Sequence, residues 1–429
     1  MFHLQNSRFA SLAAFISLTL ALTACGGSNN SSPPVVKPPP TNTPQGVQLV
    51  SGDNNSDAPE NTISWTLDPT ATGYTVYWDN VAGVTATSSV VVPAAQGTRY
   101  MTHSGVDVTQ GNSYYYRVQA DSANGPSALS DEVTGTPQLS ITNNSLNDVA
   151  WNGVDTLVAV GDSGTIQQSP NGLADAWVDT SAANAPQALT GITWDTVNSQ
   201  FLIVGAGSTV LSGDGFNWNR EDLSNLPGAV NLEDVAWLGD RYIAVGKNGT
   251  IVTSNADGSS WTLQDAGPNV ANTALSGVAN NNLQIVVIGT NGTILNSADG
   301  VAWSELPAFV NQDLNDITWD GNQFVIVGSN DTILTSPDGT VWTSHVPGTS
   351  DINFVAVTQW DSGLPQNPVL ATVGSAGTFV TDPDGDPGVI IRTGTTAQLG
   401  GMTWVDDGVT PGYFVMVGND GTVLTNQYH

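Results

Sequence analysis

Residues 232–261 read LEDVAWLGDRYIAVGKNGTIVTSNADGSSW, and this stretch decides the fold. In order it holds the apolar run Leu232–Trp237, a wholly apolar run ending at Gly246, a tight Lys-Asn-Gly-Thr turn, a third strand-like run, and a Ser-x-x-Asp-Gly-x-x-Trp loop closing at Trp261. The second run recurs seven times, ending at Gly161, Gly205, Gly246, Gly289, Gly328, Gly374 and Gly418, at intervals of 39 to 46 residues. Four strand-like segments repeated at about 40–45 residues are the signature of a propeller blade.

The copies divide alike. First strands are expected at Leu146–Trp151, Leu189–Trp194, Leu232–Trp237, Leu314–Trp319 and Leu399–Trp404, with looser versions at Leu275 and Ile352. The second strand shows no alternation, as expected where both sheet faces are buried between neighbours. Asn-Gly and Asp-Gly pairs then supply the positive φ of a two-residue hairpin. The third strand runs into a loop whose Trp opens the fourth, at Trp177, Trp218, Trp261, Trp303 and Trp342. The seventh copy stops after its third strand, which would leave a bare strand edge. Gln138–Asn143, just before the first copy, is expected to supply the missing outer strand.

The Trp loops resemble the Asp-box of sialidase-like propellers, most of them one residue short of its usual spacing. The whole repeat is similar to the propeller of photosystem II assembly and stability factors, from Leu146 to the C-terminus. That resemblance implies a seven-bladed ring. It does not carry over the photosystem role, which uses an arginine-rich patch, since this region has only Arg220, Arg241, Lys247 and Arg392.

Ahead of the ring, residues 46–137 contain NTISWTL, GYTVYWD, SSVVVPA, RYMTHSGV, SYYYRVQA and SDEVTGTP, strand-like runs separated by turn signals. They resemble a fibronectin type III domain. The resemblance implies that Trp65 lies in the second strand and that Tyr114 bonds its hydroxyl back to the backbone, while Tyr116 and Val118 point inward. The expected fold class is therefore all-β, a fibronectin type III β-sandwich (46–137) followed by a seven-bladed β-propeller (138–429).

Residues 1–24 carry Arg8 and then a short apolar run ending in Leu22-Thr23-Ala24-Cys25, followed by Gly26. This is similar to a bacterial lipoprotein signal, and the chain's single cysteine stands at the cleavage position. The resemblance implies lipidation of Cys25 and, with Gly26 beside it, the outer membrane of a Gram-negative envelope, facing either the periplasm or the surface. A diglyceride plus an N-acyl chain such as palmitate anchors firmly where a single chain does not. Residues 25–45, rich in Pro, Ser and Asn, form a lipidated tether.

A formal net charge of −30 with eight Lys plus Arg in 429 residues excludes nucleic acid as a partner. One cysteine excludes an intramolecular disulfide and a Cys-based metal site. The histidines, His3, His103, His345 and His429, show no ligand spacing, and no nucleophile-elbow motif accompanies them. Asp382-Pro-Asp384-Gly-Asp386 resembles a calcium loop without its trailing Glu, and a degraded turn accounts for it equally. Asp148, Asp234 and Asp316 share one position in copies one, three and five; they either ring the channel mouth or bond the backbone where the strand begins. Trp360 falls outside the repeat register, in a long insertion.

The expected function is a non-catalytic binding scaffold without a cofactor, recognising an envelope protein or a glycan through the loops leaving the fourth strands. Rim candidates are Arg220, Glu221, Asp222, Asp265, Glu305 and His345, together with Trp360 from the insertion, and the rim segments are 178–188, 219–231, 262–274, 304–313, 343–351 and 388–398. The alternative is a carbohydrate-active enzyme, a glycoside hydrolase or sialidase-like, with carboxylates at the channel mouth. Changing Cys25→Ser should release the protein from membranes, read by fractionation of the intact chain; retention in the outer membrane without a partner's help refutes the anchor.

Overall fold

The computed structural model describes residues 42–427 apart from 54–58, 92–93, 96–97, 99, 105, 110–111, 124, 136–140, 173–175, 183–184, 225, 346–351, 361–368, 382–388, 394, 396 and 407–411. Its described residues are all-β, with short 3-10 turns between strands. Six four-stranded antiparallel sheets follow one another from residue 146 to Arg392, and a seventh begins at Leu399. Their first strands start at Leu146, Leu189, Leu232, Leu275, Leu314, Phe354 and Leu399; they touch in that order, and the last touches the first. The sheets are thus blades of a closed propeller ring.

Packing explains the apolar second strands. In Leu157–Gly161 the side chains of Leu157 and Ala159 enter the core shared with the seventh blade, whereas Val158 and Val160 enter the core shared with the second. Seven such inter-blade cores are formed, each from alternate residues of two sheets. Period-two alternation with both faces covered favours apolar residues throughout; Thr372 of the sixth blade is buried there with its Oγ1 donating to Ala356 O at 2.8 Å.

The glycine ending each second strand is there for space. Gly161 is extended, with φ −166°, but a Cβ on it would lie 2.0 Å from the Ser145 carbonyl oxygen. At Gly246 the same atom would lie 2.0 Å from Asn231 O, and at Gly418 2.4 Å from Gln398 O. The following turn needs the other property of glycine. Asn248 and Gly249 stand at φ 58° and 65°, and Asp420 and Gly421 at 55° and 70°, the left-handed pair of a two-residue hairpin. The sixth inner strand begins at Phe354, two residues beyond the expected Ile352, and Phe354 takes the slot opposite Gly374.

At the seventh blade the structure corrects the sequence expectation. Its outer strand is Gln48–Asp53, near the start of the described chain, and not Gln138–Asn143. Leu49, Val50 and Ser51 pair with Gln427, Asn426 and Thr425, and Asn426 Nδ2 donates to Leu49 O at 3.0 Å. Of 138–143, residues 138–140 lie outside the described ones. Ile141 N donates to Gly421 O at 3.1 Å, so this stretch meets the last blade at its hairpin turn.

The strand Gln48–Asp53 pairs on its other edge with Pro59–Ser64, which pairs with Tyr100–Ser104. A second N-terminal sheet orders Ser89–Val90, Gly73–Asp79, Tyr114–Asp121 and Val133–Gly135, with Ala94–Ala95 also pairing Gly73–Asp79. The two sheets enclose Leu49, Ile63, Trp65, Tyr74, Tyr116 and Val118. Leu49 faces this core while Val50, its neighbour, faces the propeller core of Ala356, Phe379, Phe414 and Leu424. One strand therefore completes two cores.

An unpaired carboxylate at position 50 would be buried, which costs about 3–5 kcal/mol. Val50→Asp should accordingly lower the denaturation midpoint of ring and N-terminal sheets together, read by tryptophan fluorescence and circular dichroism. A chain beginning at residue 141 exposes the edge of Val423–Gln427 and should self-associate on sizing. A stable, monomeric 141–429 ring refutes the role of the shared strand.

Candidate functional site

Every inner strand carries a one-residue bulge just after it begins. Leu146 pairs with Gly161 and Asp148 with Val160, which leaves Asn147 unpaired. The same register break leaves out Thr190, Glu233, Ser276, Asn315, Val355 and Gly400 in the other blades. A bulge re-aims its side chain. Here four of the polar ones reach the next blade: Asn147 Nδ2 donates to Leu189 O at 2.8 Å, Thr190 Oγ1 to Leu232 O at 2.8 Å, Ser276 Oγ to Leu314 O at 2.6 Å, and Asn315 Nδ2 to Phe354 O at 2.6 Å. In each case the acceptor is the first carbonyl of the neighbouring inner strand. Glu233 instead pairs with Lys247 of its own hairpin at 3.3 Å.

The residue after the bulge is Asp in blades one, three and five. Asp148 Oδ1 accepts from Val149 N at 2.8 Å and its Oδ2 from Ile192 N, in the next blade, at 2.9 Å. Asp234 likewise accepts from Val235 N at 2.7 Å and Val278 N at 2.8 Å, and Asp316 from Ile317 N and Val357 N, both at 2.7 Å. Each carboxyl is thus a clasp between two blades. The two possibilities that the sequence leaves open are both realised, because the clasps also wall the channel.

Together these groups line a cavity of about 590 Å³ on the face that carries the hairpin turns, hereafter the turn face. Burial pushes the Asp148 carboxyl up to about 7, with Asp316 adding repulsion against the pull of the Ile192 and Val149 amides. Asp234 is raised well above the usual range by burial and then by the charges of Asp316 and Asp148. Asp316 is pushed up to about 6, again by burial, against two amide donors. By accessible area all three residues are half-buried, so exposure to the channel tempers these shifts; burial sets their common upward direction against the pull of the backbone amides. Each oxygen of these carboxyls already accepts one backbone N–H, which fixes the carboxyl's orientation and leaves about half of its acceptor capacity.

The rim candidates from the sequence lie elsewhere and are spread over several blades, all but Trp360 on or just beyond outer strands. Arg220, Glu305 and His345 belong to the outer strands Trp218–Arg220, Ser304–Glu305 and Thr343–His345 rather than to the loops beyond them. Arg220, Glu221 and Asp222 border a cavity of about 390 Å³ with Leu223 and Leu226, and Ser212 Oγ donates to Glu221 Oε1 at 2.6 Å. Asp265 caps its own turn through Gly267 N at 2.9 Å, and Glu305 accepts from Asn269 Nδ2 at 2.9 Å. His345 Nε2 shares a hydrogen with Thr335 Oγ1 at 2.8 Å. Trp360 ends the strand Phe354–Trp360 instead of lying in the insertion. Cys25, Asp382, Asp384 and Asp386 lie outside the described residues. Among the described residues, no His, Cys, Asp and Glu side chains group closely enough to hold a metal ion.

The bulge residues escaped the sequence reading. Their signal was the column between the repeated Leu and Asp, occupied by Asn, Thr, Glu, Ser and Asn in the first five copies.

Residues 169–314, about a third of the chain, match the family described as DUF6242 beta propeller domain. No curated protein matches the sequence. Among solved structures, YCF48 bound to D1 peptide is similar at 14% identity and TM-score 0.53, over 67% of this chain and 94% of that one. YCF48 from Cyanidioschyzon merolae is similar at 15% identity and TM-score 0.52, over 67% and 96%. The WD40 beta propeller domain of Doa1 is similar at 13% identity and TM-score 0.54, over 67% and 94%. At these identities the likeness is one of fold.

A carboxyl whose folded pKa exceeds its unfolded value stabilises the fold fully at low pH and loses that contribution as pH rises through the folded value. With Asp148 and Asp316 at about 7 and about 6, the loss falls between about pH 4 and about pH 7. Thermal melts across that window should show a fall in Tm that is shallower in the Asp148→Asn, Asp316→Asn variant, even though each Asn gives up one amide acceptor. Parallel curves refute the raised carboxyls.

Proposed function

We propose that the chain is a non-catalytic binding scaffold, held to a membrane by lipid on Cys25, that presents the turn-face rim of its propeller to a protein partner. The observation that carries this reading is the use of the channel acids. Asp148, Asp234 and Asp316 spend both oxygens on backbone amides, joining blades instead of facing a substrate. Catalysis needs charge poised against a reacting atom, and these charges are committed to the ring. The loops between blades differ from one blade to the next in length and sequence, the usual way of customising a rigid scaffold. The YCF48 propeller solved with a D1 peptide supports a protein as the kind of partner.

In this reading residues 46–137 are a fibronectin type III-like spacer. Three observations support it: the order of the two N-terminal sheets, the buried Trp65, and the hydrogen bond from Thr109 N to Tyr114 Oη at 2.8 Å. The role requires no cofactor, and the setting is the outer membrane of a Gram-negative envelope.

The raised carboxyls favour a second reading, a glycoside hydrolase in which Asp148 or Asp316 is the general acid. Two assays separate the readings. Pull-down from envelope membranes with the intact lipoprotein should retain a protein that is lost on the Asp222→Ser, Asp265→Ser, Glu305→Ser variant of the rim. A panel of sialosides and β-glucans should show no turnover; hydrolysis abolished by Asp148→Asn would establish the enzyme instead.

A further inference from the structure

The face opposite the hairpin turns is built from the loops joining first to second and third to fourth strands. Among the described residues it presents Val154, Val197, Phe216, Leu283, Val301 and Val341, each 55 to 77% exposed. Among the described residues the turn-face loops present Phe309 at 40%, and the outer strands leading to them Val178 at 53% and Leu263 at 40%. Isolated exposed apolar residues need no explanation, but these occupy successive blade junctions. Next to Phe216, a Cβ on Gly215 would come within 3.0 Å of Thr156 Cγ2, in the hairpin of Val154. Asn198, beside Val197, donates its Nδ2 to Ala256 O of the third blade at 2.9 Å. Arg241 Nη2 donates to Asp299 O, two residues before Val301, at 3.0 Å. A Cβ on Gly339, near Val341, would come within 2.7 Å of Val286, in the strand that follows Leu283. The apolar side chains therefore sit at the four junctions between blades one and five, with none from the loops of blade three itself.

Acid is interleaved with these side chains at fixed geometry. Asp214, Asp299 and Asp338 are exposed and stand two or three residues before Phe216, Val301 and Val341. Asp214 Oδ1 accepts from Phe216 N at 2.9 Å and Asn217 N at 2.7 Å, and Asp299 Oδ1 from Val301 N and Ala302 N, both at 2.9 Å. These amide donors hold all three carboxyls below the usual range, so they stay charged. In these loops of blades one to five the single cationic residue is Arg241.

We infer that this opposite face is a second docking surface, for a protein segment in which apolar side chains alternate with Lys or Arg. Charge complementarity selects that occupant. An anionic bilayer is repelled by a net charge of −30, and a second copy would set acid against acid. The surface is independent of the turn-face rim and stands or falls separately from it.

The test uses the full chain and a labelled peptide of about a dozen alternating Lys and Leu residues, followed by fluorescence anisotropy. Companion probes replace Lys with Glu or Leu with Ser, and vesicles of zwitterionic or anionic lipid form a further arm. The peptide should bind, weaken with salt, and lose at least about tenfold in affinity on the Phe216→Ser, Leu283→Ser, Val341→Ser variant. These side chains are exposed, so the variant should melt like the parent. The Phe309→Ser, Glu305→Gln variant of the turn face should bind unchanged. Undiminished binding to the triple variant, equal binding of the Glu peptide, or binding of vesicles but not peptide overturns the inference. So does self-association that the triple variant abolishes, which would assign the face to a second copy.

Discussion

A propeller ring has to close, and here closure depends on one six-residue strand from outside the repeats. The seventh blade has three strands of its own, and its free edge, Val423–Gln427, is covered by Gln48–Asp53. The successive side chains of that strand point to opposite faces, so Leu49 completes the N-terminal core and Val50 completes the core between blades six and seven. The N-terminal sheets and the ring are therefore joined through a continuous six-stranded sheet rather than by a linker. Loss of pairing at that edge removes apolar contacts from both sides at once.

The interior of the ring follows from a second constraint, the bulge opposite the repeated glycine. In four of the seven inner strands the residue left unpaired turns a polar side chain toward the neighbouring blade, where it bonds the first carbonyl of the next inner strand. The Asp clasps then occupy alternate blades for a steric reason. Gly191, at the Asp position of blade two, would place a Cβ 2.9 Å from Asp234 Cα, and Gly401 would place one 2.6 Å from Asp148 Cα. An Asp at either of these two positions would not fit beside the neighbouring Asp, whereas Gly277 of blade four would meet only Ile288 and Ile317, at 3.2 Å. Seven is odd, so the alternation ends with two successive blades, six and seven, that carry Ala356 and Gly401 in that position.

The two faces of the ring consequently differ in chemistry. The turn face has a polar mouth whose acids are consumed by backbone amides and whose pKa values are raised by burial. The opposite face has acids that are solvated, held charged by their own loop amides, and set among exposed apolar side chains. The first arrangement stabilises blades, whereas the second leaves both charge and apolar area available to a partner.

The repeat itself was legible in the chain. Period-two burial on both faces favours an apolar run, and a left-handed turn pair favours Gly, Asn and Asp; six of the seven turns supply at least a Gly and the fifth supplies Asn330-Asp331, so strands, hairpins and blade spacing are written locally. The shared column of Asp148, Asp234 and Asp316 was legible too, though not which of its two roles applied. Both the covering of the last edge by residues 48–53 and the cross-blade bonds of Asn147, Thr190, Ser276 and Asn315 were decided by tertiary structure. Backbone pairing between residues nearly 380 positions apart leaves no local pattern, because any strand of suitable length and alternation offers the same N–H and C=O groups. Which one fills the edge is settled by the fit of Leu49 and Val50 into two cores that exist only once the ring has formed.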